Sequence, residues 1–293
     1  MLNNQHLYRA VLALCAVLAG GLGAQTNAAP TFDVASVKQS KTDSVNSNFP
    51  LGPGDAYTAN GGYFNATGFP LVTYISFAYK LVGNQNQSFM DQMPGWANTE
   101  RYDIQARVAG NPGKEQMRLL MRALLAERFQ LAIHEEERQV AVAALVAVKE
   151  GKLGPQIQEH PADAACPLDA NPGMASEDPR FPLLCGGLVG MPPSVPGRLR
   201  FGGRNVTLEL IGRTLSPAVA SGRPIVNRSG LDGKFDFNLE FLAPARPGVE
   251  EQPDRSGPTF EEALRDQLGM KLTSQKGSVK VYVLDHVERP TEN

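Results

Sequence analysis

Apolar and polar positions follow the same order twice along this chain. Each copy carries an apolar pattern, then a basic-aromatic-Asp-apolar tetrad, then an apolar helical segment and a valine-rich strand. The matching stretches are Phe64-x4-Phe69-x-Leu71-x2-Tyr74 with Phe201-x4-Val206-x-Leu208-x2-Ile211, and Arg101-Tyr102-Asp103-Ile104 with Lys234-Phe235-Asp236-Phe237. Self-similarity on this scale is typical of a duplicated folding unit, so the sequence predicts two internal repeats.

The first repeat has the periodicities of two helices and several strands. Helical spacing follows Pro70 up to Tyr79, and residues 102–108 alternate apolar and polar side chains as a half-buried strand does. A second helix is predicted behind Asn111-Pro112, with Asn111 as its cap. Two strands, 131–133 and 140–148, are then predicted on either side of a charged turn at 134–138.

The second repeat shows the same order. It predicts a helix at 208–215 and a strand at 235–241. Thr259 and Glu262 form the sequence signature of a capping box ahead of a helix that ends at Gly269. A hairpin around Lys276-Gly277 closes the unit. The predicted class is α+β, each repeat being a small sheet with two helices on one face, in the order strand, helix, strand, helix, strand, strand.

Proline, glycine and polar clusters suggest where the units begin and end. Two of the segments lie outside the repeats: an N-terminal strand with an exposed loop, and a Pro/Gly-rich insertion. The expected boundaries are 1–28 (signal peptide), 29–62 (strand and loop), 63–151 (repeat 1), 152–199 (insertion) and 200–293 (repeat 2).

Composition is that of a globular protein. The chain has 293 residues, 42% of them hydrophobic, and a formal charge of −2. Without a Lys/Arg cluster there is no electrostatic footprint for nucleic acid. Arg9 and the apolar run 10–22 resemble an export signal, with cleavage expected after Ala24 or near Ala28; the alternative is a retained anchor helix. We expect a periplasmic or secreted protein without a transmembrane span in the mature chain.

Cysteine usage agrees with export. Removal of the signal, which contains Cys15, leaves Cys166 and Cys185, an even pair that predicts a disulfide. The alternative is two free thiols. Neither cysteine lies in a His/Cys cluster, so no metal site is predicted.

Candidate chemistry is sparse. His134 begins a charged stretch without the second histidine of a zinc-protease motif, and Asp285-His286 offers only half of an acid/base pair. His134 is therefore expected in a solvated turn, far from His286. Asp103 and Asp236 are expected on outward faces in a shared structural role. No catalytic, cofactor or metal residues are predicted.

A loop in the first repeat is the best candidate for contact with a partner. Trp96 follows Pro94-Gly95 ahead of a strand, and an exposed aromatic there could anchor a ligand, or else close the end of the core. The candidate contact residues of this loop are Phe89, Met90, Met93 and Trp96.

Several ordered segments resemble the soil-associated family of exported bacterial proteins of unknown function. The resemblance begins near residue 31 and continues to the C-terminus, with Ala144 standing where the family pattern implies an aromatic. Its segments are Phe32-x2-Ala35-Ser36-Val37-Lys38, Gly95-Trp96-x5-Tyr102-Asp103-Ile104, Leu124-Leu125-Ala126-Glu127-Arg128-Phe129-x-Leu131-x2-His134, Arg223-Pro224-Ile225-Val226, residues 229–237 and residues 285–293. Residues 206–287 are more faintly similar to the short N-terminal domains of secretins and TonB-dependent receptors, which implies contact with envelope partners rather than catalysis.

These observations lead to one leading functional hypothesis and one alternative. The first is non-enzymatic binding of an unidentified ligand or envelope protein, without a cofactor, through residues 89–96 and the insertion. The alternative is a hydrolase of unfamiliar type that uses His134 or His286.

Overall fold

A computed structural model describes residues 29–164, 166, 178–218, 222–243 and 256–290. It is an α+β protein, as predicted, and the expected signal peptide lies outside the described residues. The N-lobe (residues 34–147) contains β1 (Val34–Gln39), β2 (Asn46–Ser47), β3 (Tyr63–Pro70), α1 (Leu71–Tyr79), α2 (Gly83–Met90), α3 (Gly95–Thr99), β4 (Arg101–Arg107), α4 (Lys114–Phe129) and β5 (Ala132–Ala147). The C-lobe (residues 157–286) contains β6 (Ile157–Glu159), β7 (Gly187–Met191), β8 (Arg198–Val206), α5 (Leu208–Leu215), a 3-10 helix (Ser216–Ala218), β9 (Ile225–Asn227), β10 (Phe235–Leu242), α6 (Phe260–Leu268) and β11 (Met270–His286).

Each lobe contains a four-stranded antiparallel sheet. The strand order is β1-β4-β3-β2 in the N-lobe and β6-β10-β8-β7 in the C-lobe. In both sheets the strand before the first helix pairs with the strand before the last helix, β3 with β4 and β8 with β10. The two sheets therefore place strands of corresponding sequence position next to each other.

Each sheet shares a hydrophobic core with the helices of its lobe. Alternation in β4 buries Tyr102 and Ile104, which belong to one core with Tyr74 of α1 and Leu120 of α4. In the C-lobe the corresponding core joins β10 to α5 and α6. Burying one large apolar side chain contributes about 1.5–3 kcal/mol, so these cores hold the helices against the sheets.

The lobes are joined by β5 and β11, which pair with each other along almost their full length. This central ladder is antiparallel, with Ala147 opposite Met270 and Ile133 opposite Leu284. The two predicted hairpins, with turns at 134–138 and at Lys276-Gly277, are therefore wrong. Both polar stretches lie within a strand: residues 134–138 are part of β5 and pair with β11, and Lys276-Gly277 is part of β11 and pairs with β5. The final pair of strands expected in each repeat is a single strand.

Asp103 and Asp236 make the same contact in the two sheets. Asp103 Oδ1 accepts a hydrogen bond from the N–H of Gly68 at 2.9 Å, and Asp236 Oδ1 accepts one from the N–H of Asn205 at 3.0 Å. Gly68 and Asn205 both have positive φ, and each lies at an irregularity in the pairing of its strand. Asp236 is buried, so its predicted outward position is wrong.

Helix caps follow the sequence in one case and not in another. The capping box of Thr259 and Glu262 is confirmed, and α6 ends at Gly269 in the left-handed conformation. Asn111 does not cap α4, whose cap residue is Gly113. The Asn111 side chain instead accepts a hydrogen bond from the N–H of Gly61 at 2.8 Å, which joins the loop before α4 to the turn before β3.

The segments expected outside the repeats are part of the sheets. Phe49, within the loop predicted to be exposed, is 1% exposed and belongs to the N-lobe core. In the insertion, residues 157–159 and 187–191 form β6 and β7, the two edge strands of the C-lobe sheet. Both segments supply edge strands because the internal strands of a small sheet still need hydrogen-bond partners on their outer sides.

Candidate functional site

A cleft of about 700 Å³ lies where the lobes meet at the central ladder. One wall is α2, another is β9 with its flanking residues, and α5 contributes to the lining. The ladder supplies residues from both strands near its centre. The lining includes Asn84, Gln85, Gln87, Ser88 and Asp91 of the N-lobe, Arg138 and Val140 of β5, Glu209 and Arg213 of α5, residues 224–228, and Ser278, Val279, Lys280 and Val281 of β11.

Hydrogen bonds between the lobes fix the cleft walls. Asn84 donates its side-chain N–H to the carbonyl oxygen of Gly222 at 2.6 Å. Arg213 donates to the carbonyl oxygen of Lys80 at 3.2 Å and to the side chain of Gln85. Because each bond joins an N-lobe group to a C-lobe group, the shape of the cleft depends on how the lobes meet.

Glutamine side chains attach the α2 region to the outer edge of β11. Gln92 donates to the carbonyl oxygen of Tyr282 and accepts from the N–H of Leu284, each at 3.1 Å, as a neighbouring strand would. Gln85 donates to the carbonyl oxygen of Lys280 at 2.7 Å. On the other strand of the ladder, β9 pairs in parallel with residues 143–145 of β5. The side walls of the cleft are thus both anchored to strand edges.

Charged groups of both signs line the cleft. Arg138 binds Glu136 at 2.7 Å, and this hydrogen bond is the main reason that the pKa of Glu136 is lowered. Asp91 accepts from Gln87 at 2.9 Å. The ammonium group of Lys280 binds Glu135 at 3.1 Å. With valines between these polar groups, the cleft suits a small ligand that has both apolar and hydrogen-bonding parts.

A smaller cavity of about 230 Å³ adjoins the cleft, sharing Val82, Glu209 and Arg213 with it. Asp55 and Lys80 meet there at 2.9 Å. Burial alone would raise the pKa of Asp55, but the hydrogen bond and charge of Lys80 outweigh burial and lower it. Asp55 therefore remains ionised and neutralises Lys80.

The predicted contact loop does not present all of its candidate residues. Phe89 and Met93 are buried in the N-lobe core, so their prediction as surface contacts is wrong. Apolar side chains at the end of α2 gain more from the core than from solvent exposure. Met90 and Trp96 are partly buried against the same core, and the Arg289 guanidinium lies 5.0 Å from the centre of the Trp96 ring. Sequence reasoning missed the cleft residues of α2, whose signal is the polar run after Val82.

The histidines are distributed differently from the prediction. His134 lies within β5, not in a turn, and its Nδ1 is 2.8 Å from Asp285 Oδ1. Hydrogen bonds to Asp285 and then to Glu136 raise the pKa of His134. His286 lies on the neighbouring strand, opposite Ala132, so the two histidines are not far apart. His286 is bonded to Glu288 at 2.8 Å.

A third histidine forms an acid-imidazole pair that is more buried than those of His134 and His286. His160 Nδ1 lies 2.7 Å from Asp236 Oδ1, with both side chains under a tenth exposed. The same carboxylate accepts from Asn205 and is 3.8 Å from Arg204. The Asp236 carboxylate is thus engaged with His160, the backbone of Asn205 and Arg204, which indicates that the His160–Asp236 pair has a structural role.

Sulfur chemistry is represented by one disulfide. Cys166 and Cys185 are bonded, with Cα atoms 5.4 Å apart, as predicted. This disulfide joins Cys166, which follows β6, to Cys185, which lies shortly before β7. Within the described residues, no three His, Cys, Asp or Glu side chains are grouped to hold a metal ion.

Comparison with known proteins identifies a family. Neither a curated protein nor a solved structure matches the chain. Among the described residues, none of the helices is long and apolar enough to cross a membrane. A family model with the description "Protein of unknown function (DUF3738)" matches residues 72–287, which extend from the second residue of α1 through β11 and include every residue that lines the cleft. The chain belongs to this family.

Proposed function

We propose that this protein is an exported, non-enzymatic binding protein whose ligand occupies the cleft between the lobes. The observation that carries the proposal is the cleft itself, about 700 Å³ in volume and lined by both lobes and the central ladder. Volumes of this size suit small-molecule ligands. The N-terminal apolar run and the resemblance to exported soil-associated proteins support a periplasmic or secreted location. The fainter resemblance to secretin and TonB receptor domains supports an envelope role.

We also propose that the two lobes derive from one duplicated unit. The strand order β1-β4-β3-β2 corresponds to β6-β10-β8-β7. The hydrogen bonds of Asp103 and Asp236 to corresponding backbone positions support the same origin. A binding cleft at the junction of two related lobes would let a ligand contact equivalent elements of both.

Filling the cleft tests its role. Ser88 is an exposed residue of α2 that lines the cleft, and Ser88→Trp places a large side chain there. Glu261→Trp on the exposed side of α6 is the matched control. The protein is screened against a small-molecule library by thermal unfolding, and hits are verified by native mass spectrometry. A ligand at a hundredfold excess over its Kd stabilises by about 2.7 kcal/mol.

The expected result is a ligand that stabilises the wild type and Glu261→Trp but not Ser88→Trp. A ligand that binds all three equally lies outside the cleft and contradicts the proposal.

The hydrolase alternative rests on the short contact between His134 and Asp285, since a carboxylate can orient an imidazole as a general base. His134→Ala and His286→Ala separate the two functions. A binding protein retains its ligand in both variants. Loss of turnover of a hydrolysable ligand in either variant would favour the enzyme.

A further inference from the structure

Among the described residues, part of the outer edge of each strand of the central ladder has no partner strand. In an antiparallel strand, alternate residues direct both backbone groups to the same side. Tyr282 and Leu284 bond outward to Gln92, so even-numbered residues of β11 face away from β5 in this region. Ala143 and Leu145 bond outward to the β9 segment, so odd-numbered residues of β5 face away from β11.

Two short windows of these edges are open. We call residues 135–139 of β5 the acidic edge and residues 274–278 of β11 the basic edge. Within the part of the chain that the structure describes, β9 pairs only with residues 143–145, and no strand pairs with the outer side of either window. Glu135, Glu137 and Gln139 are exposed, as are Ser274 and Lys276. Each window therefore offers unpaired N–H and C=O groups to solvent.

The two edges carry opposite charges at corresponding positions. Glu137 lies two residues before Gln139, and Lys276 lies two residues before Ser278, the residue opposite Gln139. Glu135 is paired with Lys280 and Glu136 with Arg138, so Glu137 supplies the uncompensated negative charge of the acidic edge. At the basic edge, the Arg223 guanidinium contacts Ser274. Within the described residues, Glu137 accepts a hydrogen bond from the hydroxyl of Ser278 at 3.1 Å and forms no ion pair, so its charge is not neutralised there.

We propose that the acidic edge of one copy of this protein pairs with the basic edge of a second copy. In the antiparallel register that places Glu137 opposite Lys276, Glu135 faces Ser278 and Gln139 faces Ser274. All six residues direct their backbone groups outward, so they can form a ladder of inter-chain hydrogen bonds. Opposite charges across such a ladder stabilise it, and like charges destabilise it.

Charge selects this pairing over the two symmetric ones. An acidic edge against another acidic edge places glutamates opposite glutamates, and two basic edges place lysines opposite lysines. Charged side chains commonly prevent a strand edge from pairing with the same edge of another copy. Because the preferred contact joins two different surfaces, it repeats from copy to copy and gives a ring or an open chain.

Charge reversal tests the pairing. The molar mass of the purified, disulfide-bonded protein is measured by light scattering and sedimentation over a range of concentrations at low salt. We expect mass to increase with concentration. Glu137→Lys and Lys276→Glu should each weaken self-association about tenfold, because each replaces attraction with repulsion. The exposed residues Lys149 and Glu150 provide the controls Lys149→Glu and Glu150→Lys, which make the same charge changes outside both windows.

Mixing the variants distinguishes edge pairing from a general charge effect. Glu137→Lys has two basic edges and Lys276→Glu has two acidic edges, so an equimolar mixture should associate as strongly as the wild type. The double variant should do the same. Association that is unchanged in the single variants, or not restored by mixing, would overturn the proposal. A wild type that remains monomeric at every concentration would also overturn it.

A backbone variant checks that hydrogen bonds are involved. The N–H of Gln139 faces outward, a position where proline can occur in an edge strand. Gln139→Pro should weaken self-association while retaining the circular dichroism spectrum of the wild type. If the Gln139→Pro variant is folded and still associates as the wild type does, the copies meet at another surface and the proposal is wrong.

Discussion

Gln139 of β5 lies directly opposite Ser278 of β11, at the centre of the ladder that joins the lobes. On one side of this pair the first half of β5 meets the second half of β11, and on the other side the roles are exchanged. Each long strand therefore contributes to the packing of both lobes: Tyr282 and Leu284 contact the N-lobe core, and Ala143 and Leu145 belong to the C-lobe core. Neither lobe has its complete set of strands without the other.

The capping box of α6 allows a direct test of a local sequence signal. Thr259 accepts from the N–H of Glu262, and Glu262 accepts from the N–H of Thr259. Thr259→Ala should lower the free energy of unfolding by about 1 kcal/mol, because the N–H of Glu262 in the first turn of α6 loses its side-chain acceptor. Thr259→Ser retains the hydroxyl and should lose much less. Urea unfolding measures both, and equal losses in the two variants would contradict the role of the cap.

Local features of this kind were predictable, and the ladder was not. Thr259 and Glu262 are three residues apart, so their relation is visible in the sequence. Residues 134–138 and 274–277 have the polarity of turns because both faces of the ladder are exposed there, which removes the signal of a buried face. The cleft is assembled from α2, β5, α5, β9 and β11, and no local pattern reports which elements will meet. Phe89 was misassigned because the sequence pattern of an apolar residue in a polar segment is the same whether its side chain contacts a partner or packs in the core.

The Cys166–Cys185 disulfide should contribute measurably to stability. Replacing both cysteines by alanine should lower the free energy of unfolding by about 2–4 kcal/mol, because the unfolded chain regains the freedom that the crosslink removes. Reductant should lower the stability of the wild type by a similar amount and leave the double variant unchanged. Thiol labelling of the native protein should detect neither cysteine. Two labelled thiols would show that the bond does not form.

Lys114 should make stability depend on pH. It is 5% exposed, and its ammonium group donates to the carbonyl oxygen of Ala56 at 2.8 Å. Burial, followed by the charge of Arg118, lowers its pKa to about 7. An unfolded lysine has a pKa of about 10.4, so between these values the unfolded state binds more protons and stability rises with pH. The other charges that act on the ammonium group are Asp55, Lys80 and Glu115.

Lys114→Met removes this dependence while keeping the apolar stem. Between about pH 6 and about pH 9, the wild type should gain more than about 1.4 kcal/mol of stability relative to Lys114→Met, the equivalent of one pKa unit. Chemical unfolding across this range gives the two curves. Parallel curves would show that Lys114 titrates as an exposed lysine does.

Asp103 and Asp236 share a backbone contact but differ in what surrounds them, so their replacement should have unequal effects. Asp103→Ala removes a hydrogen bond to a partly buried bulge and should lower the free energy of unfolding by about 1.5–3 kcal/mol. Asp236→Ala also leaves the buried ring nitrogen of His160 without its partner, which adds about 1–3 kcal/mol to the loss. Asp285→Ala is the control for an exposed acid-histidine pair and should cause a much smaller loss, because solvent screens that pair. Losses that are equal for Asp103 and Asp236 would mean that the backbone contact alone determines their contribution. The expected inequality would mean that the C-lobe has added a buried acid-imidazole hydrogen bond to a contact that both lobes contain.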